Sequence, residues 1–252
     1  MNRTSFFLLI FAMLAFSFLV TGFQCGSTEM TSAKLAIQQN NYPRAEQLLL
    51  AEVKKNPNNS EAWYLLGECQ YKTAKFEDML TSFDNSLKND KTFAEKIAFH
   101  KQNAWIIVIK SGITASANIQ KAPKDSVEIY SNKALKDYQL AIKIAPDSVI
   151  AYQNMAVVYA LTRQDDKQID ALEMVRKLAK NDTTLMDATN ELANIYIRRG
   201  DKALAAKDQA TATQNYTLAL KEIMALRESN PDNNDILKTM LDIYTKMERQ
   251  DE

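Results

Sequence analysis

A proline-led turn recurs three times along the chain, as Pro57-Asn58-Asn59, Pro146-Asp147-Ser148 and Pro231-Asp232-Asn233, at spacings of 89 and 85 residues. Each turn is followed by a similar pattern. Ala62-Trp63-x-x-Leu66-Gly67 is echoed by Ala151-Tyr152-x-x-Met155-Ala156 and then by Ile236-Leu237-x-x-Met240-Leu241. A fixed period marks a copied unit, and a unit too small to bury its own apolar face must stack on its neighbours. Past Cys25, apolar residues lie three and four apart with few glycines or prolines, which is helical periodicity. The run Trp105-Ile106-Ile107-Val108-Ile109 is the one stretch that also reads as a strand.

Breakers fall where helical hairpins would turn: Asn40-Asn41, Lys75, Pro123-Lys124-Asp125, Gln164-Asp165-Asp166 and Lys207-Asp208. The proline turns separate successive hairpins, with Asn59, Ser148 and Asn233 placed to cap the helices that follow. Small residues recur at fixed positions beside large ones. Trp63, Leu66 and Gly67 are followed by Phe83 and Ser86, and Tyr152, Met155, Ala156 and Tyr159 form another first helix. Second helices read Ala45/Leu49, Ala134/Tyr138/Ala141 and Ala212/Tyr216/Ala219, while Tyr196 and Gly200 belong to the last full unit. Small residues let helix backbones approach, and bulky ones fill the groove beside them.

This arrangement resembles the tetratricopeptide repeat, a helix–turn–helix of about 34 residues. The resemblance implies an all-α fold: a right-handed α-solenoid of about five hairpins and a C-terminal capping helix. The units fall at approximately 31–57, 60–90, 92–146, 148–181 and 184–231, with the cap at 234–249 and the solenoid as a whole at 31–249. The third and fifth exceed the family length, and Gly112 and Gly200 stand 88 residues apart, so the long units themselves repeat. Asp235, Lys238, Asp242, Lys246 and Glu248 give the last helix the wetted face that a terminal repeat needs.

The first residues have a different character. Arg3 precedes an uncharged apolar run of 15 residues, Phe6 to Val20, which is short for a membrane span and suited to a secretory signal at 1–24. Thr21-Gly22-Phe23-Gln24-Cys25-Gly26-Ser27 then resembles the acylation site of bacterial lipoproteins, which implies a lipidated Cys25 and a tether over 25–30. Gln24 departs from the small residue usual before that Cys. Cleavage after Gly22, or retention as an anchor, are the alternatives. All three send the chain out of the cytoplasm.

Charge and composition exclude several function classes. The chain carries 31 basic and 31 acidic residues. Losing Arg3 with the signal leaves a net charge of −1, which gives no electrostatic footprint for nucleic acid. Beyond Gly26 the glycines are Gly67, Gly112 and Gly200, too scattered for a phosphate loop. His100 is the single histidine, so His-based metal sites and Ser–His–Asp triads lack material, and its expected place is a helix surface. Glu77/Asp78 and Asp165/Asp166 read as helix-start caps and solvation, and Cys69 as a buried thiol. No catalytic residue, cofactor or metal is expected.

A binding surface remains. In tetratricopeptide arrays the first helices line a concave face that holds a peptide or a partner helix. Carried over by spacing, the resemblance assigns to that groove Tyr64, Glu68 and Tyr71, then Ile109 and Ile113, then Gln153 and Val157, and finally Asn194, Ile197 and Asp201. The competing expectation is that the long helices fold over this stripe and bury it. The function implied is a non-catalytic protein–protein interaction scaffold of the bacterial cell envelope. A barrel-assembly factor of the outer membrane and a glycan-capture lipoprotein are the alternatives. No Asp follows Cys25, the residue that favours inner-membrane retention in enteric lipoproteins, so the expected location is the outer membrane facing the periplasm. A soluble periplasmic form is the alternative.

Overall fold

A computed structural model describes residues 27–248. Cys25, the signal segment and the end of the chain lie outside the described residues. Among those described, every regular element is helical. The helices are α1 (Thr28–Gln38), α2 (Tyr42–Lys55), α3 (Ser60–Lys72), α4 (Phe76–Asn89), α5 (Ala94–Ile119), α6 (Val127–Ile144), α7 (Val149–Leu161), α8 (Asp165–Leu178), α9 (Asp182–Ala205), α10 (Gln209–Ser229) and α11 (Asn234–Glu248). A single 3-10 turn, Lys124–Ser126, precedes α6. The run around Trp105 is the middle of α5, a helix of 26 residues. No described helix is long and apolar enough to cross a membrane. The chain divides into two compact units, Met1–His100 and Lys101–Glu252.

The turns follow from local chemistry. In the proline turns the residue before Pro is held extended, because the Pro ring crowds the α conformation. Asn56, Ala145 and Asn230 accordingly have ψ of 72°, 92° and 70°. Each turn is then closed by one hydrogen bond three residues apart, Asn59 N–H to Asn56 O at 3.0 Å, Ser148 to Ala145 at 3.1 Å and Asn233 to Asn230 at 3.2 Å. The same Asn59, Ser148 and Asn233 side chains accept from the amides of Ala62, Ala151 and Ile236, satisfying donors that a helix start leaves open.

The turns inside hairpins use a second device. Asn40, Ala74, Arg163 and Lys207 adopt φ of 56° to 59°, and the next amide reaches back five residues to a helix carbonyl. Those bonds are Asn41 to Ala36, Lys75 to Gln70, Gln164 to Tyr159 and Asp208 to Ala203, at 2.8–2.9 Å. This is the left-handed helix stop that glycine usually supplies, built here without glycine.

In the first unit, α1 packs on α2, α2 on α3 and α3 on α4. Ala33, Ala45, Leu49, Ala62, Leu66 and Cys69 form one apolar cluster. Gly67 is the point of closest approach: a Cβ there would lie 2.5 Å from the Phe83 ring. Glu52 is 1% exposed and accepts hydrogen bonds from Ser27, Asn56 and Asn59. Burial works to raise its carboxyl, but the bonds from Ser27, Asn59 and Asn56 prevail and hold it below the usual range. One ionised side chain thereby fastens the start of α1 to the proline turn.

In the second unit, Gly112 and Gly200 repeat the role of Gly67, against the rings of Tyr138 and Tyr216. Successive helices pack pairwise, with α7 on α8, α8 on α9, α9 on α10 and α10 on α11. Charge fixes these pairings. Asp165 and Asp166 at the start of α8 accept from Arg198 and Arg199 of α9 at 2.6–3.3 Å. Burial pushes Asp165 up, and the two guanidinium groups outweigh it and hold the carboxyl low. These acids are therefore an interhelical clamp, a role beyond the capping and solvation that sequence suggests. Arg176 of α8 likewise reaches Glu222 of α10 at 2.7 Å.

Candidate partner-binding site

Three helix stripes in the second unit face one cavity of about 290 Å³. Helix α7 begins at the cap Ser148, whose hydroxyl also accepts the Trp105 indole N–H at 3.1 Å. It carries only Gln153 and Asn154 as polar residues among thirteen. Gln153, Val157 and Ala160 lie at i, i+4 and i+7, one face of a helix. Helix α8 offers Gln168, Leu172 and Val175 at the same spacing, and α9 offers Asp187 and Glu191 one turn apart. The floor of Ala156, Leu172, Val175 and Ala188 belongs to the core cluster of the unit. Val157 and Ala160 at the mouth are exposed, as are Asp187 and Glu191. Val157, with Ile150 a further two turns back on the same helix face, leaves apolar surface in solvent.

One polar atom on a residue that lines this cavity is out of place. Gln168 is 3% exposed, yet its Oε1 has no hydrogen-bond partner among the described residues. A buried acceptor left unpaired costs about 1–3 kcal/mol, so its presence at a cavity wall is a chemical signal. A larger cavity of about 680 Å³ borders Arg163, Lys202, Asp208 and Asn215. Its Asp165, Asp166 and Arg199 are already spent on the α8–α9 clamp.

The expected groove residues do not all share one environment. Gln153 and Val157 line the cavity. Asn194 is exposed on α9, and Ile197 is half-buried against the cluster around Tyr216. Asp201 accepts from the Tyr216 hydroxyl at 2.7 Å and Lys246 at 2.9 Å, tying α9 to α10 and α11. Ile113 is exposed, whereas Ile109 is 5% exposed and so belongs to the core rather than to a contact surface. Tyr64 needs the same correction at 6% exposed: its ring stacks on Phe93 at 4.5 Å, with Lys96 5.8 Å from its centroid. Burial first, then Glu68, pushes its hydroxyl up to about 12. Tyr71 is half-buried at 4.9 Å from the His100 ring, and Glu68 is half-buried.

His100 is itself a correction to the surface position expected of it. It is 9% exposed among Tyr64, Tyr71, Phe83 and Phe99, and its Nδ1 has no partner among the described residues. Burial lowers its pKa, with Lys72 acting in the same sense and Glu68 against it. Cys69 is fully buried, and burial, Glu68 and Glu46 push its thiol up to about 12, which leaves it unreactive. No group of three His, Cys, Asp or Glu that could hold a metal ion occurs among the described residues.

Comparison with known proteins bears on the first two hairpins. Residues 30–84, spanning α1 to α4, match the model of the tetratricopeptide repeat. Those first two hairpins are similar to tetratricopeptide repeats. Solved tetratricopeptide structures align along most of the chain. A TPR repeats protein from Bacteroides fragilis is 13% identical, with 86% of this chain and 96% of that chain covered and a TM-score of 0.48. A thermophilic TPR protein of Thermus thermophilus is 19% identical over 86% of this chain and 100% of that one, with a TM-score of 0.37. The TPR2AB domain of yeast Sti1, solved in complex with pHSP90, is 18% identical over 86% of this chain and 83% of that one, with a TM-score of 0.30. No curated protein matches the sequence. The cavity between α7, α8 and α9 is one place among the described residues where exposed apolar surface lies near an unpaired buried acceptor.

Proposed function

We propose that this protein is a non-catalytic interaction scaffold of the bacterial cell envelope, tethered to the outer membrane by lipid on Cys25. It holds a protein partner against the exposed face of α7 and α9. The single observation that carries the binding half is the open cavity of about 290 Å³ whose mouth exposes Val157 and Ala160. A scaffold of this kind acts by geometry. The ion pairs between α8 and α9 and the Gly200–Tyr216 contact between α9 and α10 hold two of the three stripes in place, so little ordering entropy is lost there when a partner docks. The tethering half is supported by the apolar run that ends before Cys25. Several acyl chains would hold the protein firmly, at about 0.8 kcal/mol per buried methylene.

The test is crosslinking in cells followed by pull-down from membrane fractions through a C-terminal tag, with Cys25→Ala as control. The reading expects a stoichiometric protein partner from the membrane fraction and its loss in the control. Recovery of the chain alone, from the soluble periplasm, overturns it.

A further inference from the structure

We infer that the cavity between α7, α8 and α9 takes one aromatic side chain with a hydrogen-bond donor at its tip, tryptophan foremost, from a peptide segment with basic neighbours. This deepens, and rests on, the reading of that face as the partner site.

Four observations converge. The volume of about 290 Å³ lies at the foot of the range for small-molecule sites, so it suits a single large side chain. The walls of Ala156, Leu172, Val175 and Ala188 are apolar and buried, so the occupant's body must be apolar as well. Gln168 Oε1 supplies one acceptor and lacks a donor. An occupant that brings a donor satisfies it, and one that brings none leaves the oxygen stranded.

The chemistry narrows the choice further. Leucine and phenylalanine fill the volume and donate nothing. A lysine ammonium brings three donors and a full charge to one neutral acceptor, which burial penalises heavily. A tyrosine hydroxyl donates but carries its own lone pairs into apolar walls. The tryptophan indole is apolar except for one N–H, which matches one acceptor. Finally, Asp187 and Glu191 stand exposed on the rim, in no ion pair among the described residues. No Lys or Arg is among the residues that line the cavity. That local field favours lysine or arginine beside the anchor and disfavours acidic flanks.

The experiment uses the purified full-length protein and fluorescein-labelled, end-blocked peptides of sequence Lys-Trp-Lys. One comparison peptide carries 1-methyltryptophan, which keeps the ring and removes the donor, and another has glutamate flanks. Anisotropy titrations should show the tryptophan peptide binding about ten-fold or more tightly than its methylated form. Gln168→Leu should erase that ratio, and glutamate flanks should weaken binding further. Asp187→Asn with Glu191→Gln should remove the flank preference alone. Equal affinity for the two aromatic peptides on the unmodified protein overturns the inference, as does a ratio that survives Gln168→Leu. The first comparison needs no variant, so a folding defect cannot mask the result. Photocrosslinking from Val157 in cells separates the two levels. A captured partner together with equal peptide affinities leaves the binding face standing and removes the tryptophan anchor. Absence of both removes the face as well.

Discussion

Gly67→Ala is a small change with a sign that the structure reverses. On an exposed helix, replacing glycine by alanine stabilises by about 1 kcal/mol, because the backbone loses less entropy on folding. At Gly67 the new methyl would lie 2.5 Å from Phe83 Cδ1 and Cε1, more than 1 Å inside the ~3.5–4.0 Å at which carbon atoms rest. Phe83 has 0% exposure and no open space to retreat into. Overpacking of a filled core costs about 1–3 kcal/mol, so the net expectation is a destabilisation of about 1 kcal/mol. Urea unfolding followed at Trp63, in the same unit, should report a lower midpoint with the slope unchanged. Adding Phe83→Leu should relieve the clash, so the double variant should be more stable than the two single effects sum to, by about 1 kcal/mol. A Gly67→Ala protein more stable than the parent would refute the close approach, and with it the role given to Gly112 and Gly200 against Tyr138 and Tyr216.

Further outcomes follow from the same physics. Ala74 sits at φ 58° and is exposed, so Ala74→Gly should raise stability by about 0.5–1 kcal/mol in chemical denaturation, whereas destabilisation would contradict the left-handed turn. Gln168→Leu should stabilise the free protein by about 1–3 kcal/mol, by removing an unpaired buried acceptor. A loss of stability there would mean that Oε1 is well served in the free protein. Stability of the first unit should fall as pH drops through about 6.5, because the unfolded imidazole of His100 binds a proton that the buried one resists. That loss continues down to the lowered native pKa and should disappear in His100→Asn, and a flat profile between pH 7.5 and 5.5 would sink the assignment.

Much of the fold was legible because its determinants are local. Proline, the residue before it, and the capping Asn59, Ser148 and Asn233 act within four residues, so the turn and the following helix start could be read together. Gly67 and Gly200 were legible as sites of close approach because helical spacing puts small residues opposite large ones. What escaped depends on contacts far apart in sequence. Nothing near His100 says that Tyr64, Tyr71 and Phe83 will enclose it. The Asp165 and Asp166 clamp joins residues 33 and 34 positions apart, and Arg198-Arg199 one repeat downstream was the available signal. The groove assignment was mixed for a related reason. Helical periodicity marks a stripe but does not say whether solvent or another helix covers it, so Val157 is exposed while Tyr64 and Ile109 are core. The unpaired Gln168 had no sequence signature, since a glutamine on α8 reads like any other polar residue.

The measurement that bears most directly on a scaffold working through the α7–α9 face is site-specific photocrosslinking in living cells. A photoreactive residue at Val157, 52% exposed at the cavity mouth, would be compared with one at Thr217, exposed on α10. Position 157 should give one discrete covalent adduct with a protein partner, and position 217 none. Equal labelling at both positions, or adducts from 217 alone, would contradict a scaffold working through that face.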